Sequence, residues 1–122
     1  MQIVRSCAAQ GDILFRRVDR VPAGAVEMRR IDGQLVVGHS ETGHHHSIAD
    51  RAVTGFEVPG DPLVCYLRMD DGLDPSIGGV DAIHHRAWHT HETLRLVGKP
   101  GDVWQVRRQR EWAPEGWRRV QD

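Results

Sequence analysis

Apolar residues along this chain come in short runs rich in valine and isoleucine. Thirteen glycines and six prolines break the runs at intervals of about ten residues. Within a run the alternation has period two: in "PLVCYLRM", Leu63, Cys65, Leu67 and Met69 fall on one face of a strand. No long 3.6-residue periodicity and no internal repeat competes with this pattern. It predicts an all-β fold, one domain over residues 1–122, built as a jelly-roll, a small barrel or a sandwich.

Individual strands are predicted over 12–18, 26–31, 34–39, 63–69 and 103–112, with "HHHSIADRAV" continuing as a strand and 80–97 supplying further extended chain. Asp32-Gly33 tolerates the positive φ angles of a tight turn, so 26–31 is expected to pair with 34–39 as a hairpin. "DDGLDPSIGG" carries Asp70, Asp71 and Asp74 but lacks the ligand spacing and closing glutamate of a calcium-binding EF-hand loop, which leaves turn chemistry.

A chain of 122 residues buries a core without disulfides or a structural metal, so a bound metal would serve function. Sixteen basic and seventeen acidic side chains cancel almost completely, and whole-molecule attraction to nucleic acid or anionic membrane is not expected. No apolar run approaches the length of a membrane span, and "MQIVRSCAAQGD" lacks the apolar stretch of a secretory signal; a cytoplasmic protein is the expectation. Cys7 and Cys65 form no paired motif, and Cys65 reads as a small buried hydrophobe rather than a catalytic thiol.

The eight histidines fall in two groups, His39, His44, His45 and His46, then His84, His85, His89 and His91. Strand parity puts His44 with His46 and, in the second group, His85 with His89 and His91. An H-x-H on each of two neighbouring strands about 4.8 Å apart would surround one ion with imidazoles. The candidate ligands are therefore His44, His46, His89 and His91, and the candidate ions are zinc, iron, nickel or copper.

Gly38, His44, His46 and Asp50 are spaced in a way that resembles the first metal motif of the cupin family, with aspartate where cupins have glutamate. The resemblance implies a small β-barrel and a divalent metal held by His44, His46 and Asp50. The second cupin motif is missing: "GKPGDVWQV" supplies a turn, but Trp104 stands where a ligand is wanted. The chain also resembles small bacterial and phage proteins, in "TGHHH" and in its closing "RRQREWAPEGWRRVQD".

Other catalytic patterns are absent: no nucleophile elbow, no P-loop, and only the poor acid–base pairs Glu92 with His91 and Glu41 with His44. The stretch 104–122 interleaves Arg107, Arg108, Arg110, Arg118 and Arg119 with Trp104, Trp112 and Trp117, and three acids reduce its positive surplus to two. Two uses are open to it. Trp104 and Val106 enter the core while the arginines pair at the rim, or Trp112, Trp117, Arg108 and Arg110 meet a partner, whether another protein, a second copy or single-stranded nucleic acid.

The functional expectation is thus a cupin-like metal-binding protein, with or without turnover of a small polar substrate. The alternatives are a β-sandwich interaction or structural protein, such as a phage or mobile-element component, and a binder of single-stranded nucleic acid.

Overall fold

The computed structural model describes the backbone of residues 1–39, 45–86, 89–108, 110–113 and 116–119, and the side chains of these except at 39, 86, 89–92, 110–113 and 116–119. Among these residues the chain forms thirteen strands. In the first sheet β1 (Gln2–Val4), β10 (His89–Val97), β9 (Gly79–Arg86), β6 (His45–Ile48) and β5 (Leu35–His39) lie side by side in that order. In the second the order is β2 (Cys7–Gln10), β3 (Ile13–Val18), β11 (Val103–Arg108), β8 (Asp61–Met69), β7 (Val53–Val58) and β4 (Val26–Glu27). A separate two-stranded ribbon follows, β12 (Arg110–Ala113) with β13 (Gly116–Arg119). All pairings are antiparallel except β1 with β10.

The inward faces are the apolar halves of the period-two runs. Leu35, Ile48, Val80, Ala82, Leu94 and Leu96 from the first sheet pack against Ile13, Phe15, Val53, Leu67, Met69, Trp104 and Val106 from the second in one core. Trp104 is fully buried and donates its indole N–H to the Val97 carbonyl, which ties β11 to the end of β10. Neither sheet closes on itself, so of the expected architectures the sandwich is the one realised.

The expected 26–31/34–39 hairpin is realised only at its tip. Asp32 and Gly33 both have positive φ, and Ile31 bridges Gln34 across them, but β4 pairs with β7 in the opposite sheet. Between them the chain crosses from one sheet to the other. Arg30 fixes that crossing by donating to the carbonyls of Gly33, Asp50 and Val53, and Met28 packs against the core. The extended reading of 80–97 resolves into the β9–β10 hairpin, and that of 103–112 into β11 followed by the first ribbon strand.

Strand directions bring several features to one end of the sandwich: the β5–β6 and β9–β10 connections, the β2–β3 turn, the β7–β8 turn and the end of β11 that leads into the ribbon. Seven of the eight histidine positions, His84 included, lie at or near this end, on strands that are hydrogen-bonded neighbours.

Candidate functional site: the histidine end

Two sets of residues are assembled at this end, one between the sheets and one on the outer face of the first sheet. Inside, β6 and β9 place His46 directly opposite His84, and both are fully buried. Their rings stack with centroids 4.1 Å apart and planes within 13° of parallel. Parallel rings send their in-plane lone pairs along parallel lines, so these two imidazoles do not converge on one ion.

His46 is held from the second sheet. Gln10 donates its amide N–H to the Ala82 carbonyl, which turns its Oε1 toward His46 and makes His46 Nδ1 the donor at 3.0 Å. His46 Nε2 faces Asp12 Oδ1 at 3.5 Å, and Arg108 Nε stands 3.9 Å from the other carboxylate oxygen. All four of Gln10, Asp12, His46 and Arg108 are buried, and together they form a polar tie between the sheets.

Gly38 makes room for this arrangement. A Cβ there would come 2.8 Å from Ile13 Cδ1 and 3.2 Å from His46 Cδ2, closer than atoms normally approach. Gly38 and Arg108 also line a cleft of about 610 Å³ beside the β5 edge, whose wall includes Val36, Glu57, Asp61 and Cys65. Burial, with Glu57 as a smaller contribution, pushes the Cys65 thiol up to about 12, so it is a thiol and not a nucleophilic thiolate near neutral pH.

On the outer face a different set lines up. β5 pairs with β6 so that His39 is opposite His45, and β6 pairs with β9 so that His45 is opposite His85. The three positions form a straight row across three adjacent strands. The register depends on a bulge: Val36 pairs with Ser47 but Gly38 with His46, which leaves Val37 as an extra residue. Without it, His39 would share the inward parity of Leu35; with it, His39 shares the outer face with His45. His45 is exposed, and half-buried His85 has its Nε2 at 2.9 Å from the Ser47 hydroxyl.

Both sets of residues lie within one matched segment, since residues 9–109 match a domain of unknown function, DUF8820. The chain belongs to the DUF8820 family. The match takes in the sandwich except β1 and the first two residues of β2, and ends before the β12–β13 ribbon. No curated protein and no solved structure matches the chain.

Of the ligands expected from sequence, the structure describes the side chains of His46 and Asp50 and only the backbone of His89 and His91. His44 lies outside the described residues. His46 is inside the sandwich, its Nδ1 bonded to Gln10 and its Nε2 3.5 Å from Asp12. Asp50 accepts the backbone N–H of Asp81, three residues along β9 from His84, and is committed to that strand. His89 and His91 are on β10, separated from β6 by β9, and a register shift lies between His89 and Glu92. Among the described side chains no three histidine, cysteine or acidic groups are clustered as a metal site. Arg108, expected either to pair at the rim or to meet a partner, is buried beside Asp12, while Trp104 and Val106 enter the core as foreseen.

Sequence parity missed Gln10 and Asp12, which no motif marks, and it missed the row His39, His45 and His85. An isolated glycine in a strand, as at Gly38, is the available signal of a bulge that changes which face a following residue takes.

Proposed function

We propose that this chain is a metal-binding β-sandwich module whose ion is held on the outer face of the first sheet by His39, His45 and His85. The observation that carries this reading is the cross-strand register, which aligns the three positions on hydrogen-bonded neighbours. Opposite positions on antiparallel strands are about 5 Å apart, so flanking imidazoles leaning toward the middle strand reach a common ion at bonds of about 2.0–2.1 Å. Three neutral nitrogen donors suit zinc, nickel or copper and leave a position for water. Ser47 beside His85 Nε2 supports the reading, because donation of that N–H places the ring lone pair on Nδ1, the orienting role that outer-shell partners have at metal sites.

The reading keeps the metal of the cupin resemblance and seats it on different residues. It assigns His46 and His84 to structure. The exposed Cys7 and buried Cys65 are both free thiols, which fits a reducing, cytoplasmic setting.

Titration of untagged protein with cobalt(II) and zinc tests it. One equivalent should bind, with visible cobalt bands of a low-coordinate site, and His45→Ala should weaken binding at least tenfold while His44→Ala leaves it within twofold. Absence of cobalt bands, or unchanged affinity in His45→Ala, would remove the proposal.

A further inference from the structure

The ribbon β12–β13 belongs to neither sheet, and its register sorts the residues of a nearly charge-balanced segment into two unlike faces. Arg110 is opposite Arg119, Glu111 opposite Arg118, Trp112 opposite Trp117, and Ala113 opposite Gly116. Opposed residues share a face and alternate residues along a strand share a face. One face therefore carries the positions of Arg110, Trp112, Trp117 and Arg119, with no acid. The other carries Glu111, Arg118, Ala113 and Gly116, in which the charges cancel. A surplus that is small along the sequence falls, once the strands pair, on a face holding two arginine and two tryptophan positions.

We propose that this face of the ribbon binds single-stranded nucleic acid, with Arg110 and Arg119 on phosphates and Trp112 and Trp117 under bases. Two like charges directly opposite each other on a hairpin are destabilising, and an isolated two-stranded ribbon is marginal in water. A phosphate at each of Arg110 and Arg119 removes that repulsion, and a polyanion is the partner whose charge complements the face. The neighbouring tryptophan pair supplies flat surfaces that any base stacks on, so the binding is sequence-tolerant and selects unpaired strands. A protein partner with an acidic patch would use the arginines but has no comparable demand for two adjacent tryptophans.

The test uses the full chain and a fluorescein-labelled oligothymidylate of twenty nucleotides, with anisotropy read from low to moderate salt. Binding should weaken with salt, with a log–log slope of roughly −1.4 from two phosphate contacts. The double variant Arg110→Gln/Arg119→Gln should bring that slope near zero. Trp112→Ala should weaken binding about 5- to 100-fold at fixed salt, in the range of one lost base stack, and tryptophan emission of the parent should be quenched on saturation. Each variant should keep the parent's melting temperature, since the ribbon lies outside both sheets. No binding at low salt, a slope unchanged in the double arginine variant, or equal affinity for duplex of the same length would each overturn the proposal. His45→Ala should bind the oligonucleotide as the parent does, so loss of the metal reading leaves this result unaffected.

Discussion

Gly38, His46 and Cys65 show how single positions take their roles from what they touch. Gly38 has no side chain because Ile13 and the His46 ring occupy the space a Cβ needs. His46 sits where a metal ligand was expected, but its ring is buried, bonded to Gln10 and facing Asp12 on the other sheet, so its chemistry is that of a buried polar group. Cys65 has the clearest consequence for pH. Its thiol is raised from an ordinary 9.0 to about 12 in the folded chain, so the folded state holds its proton where the unfolded chain has released it. The stability this contributes is intact below pH 9 and is lost as pH rises toward 12, with a slope of about 1.4 kcal/mol per pH unit. Denaturant melts between pH 8.5 and 11 should show that fall in the parent and a shallower one in Cys65→Val.

At the scale of elements, the turn Asp32-Gly33 forms as its residues demand, with Asp32 at φ 51° and Gly33 at φ 80°, yet the strands it was expected to join separate into different sheets. Local turn chemistry is legible in two residues. The partner of β4 is settled by Arg30 and Met28, whose contacts with Asp50, Val53 and the core exist only after distant strands arrive. Arg30→Ala strands three backbone carbonyls at the crossing and should cost about 2–3 kcal/mol in equilibrium unfolding; a loss below about 0.5 kcal/mol would mean that the crossing is held otherwise. The bulge at Val37 is the other element-level decision. It adds one residue to β5 and thereby moves His39 from the inward parity of Leu35 to the outer row.

Across the whole molecule, the sandwich is held by a core that both sheets share, and Trp104 is its largest fully buried side chain. Replacing it with alanine leaves a cavity between β11 and the opposite sheet and frees the Val97 carbonyl; an unfolding experiment should register a loss of about 3–5 kcal/mol. Among the described residues no helix is long and apolar enough to cross a membrane. The two proposed sites lie on different parts of the fold, the histidine row on the first sheet and the arginine–tryptophan face on the ribbon that follows β11.

The sequence by itself determined the all-β class, the period-two faces, the Asp32-Gly33 turn and the burial of Cys65, Trp104 and Val106. Each follows from residue type and alternation within a few positions, where the backbone allows one reading. It also showed that histidines cluster in two stretches. Which histidine positions stand together was decided only by tertiary structure, because parity along one strand says nothing about which residue of another strand lies opposite. Pairing β6 with β9, inserting Val37 into β5 and closing the second sheet over His46 separated an inner pair, His46 with His84, from an outer row, His39, His45 and His85.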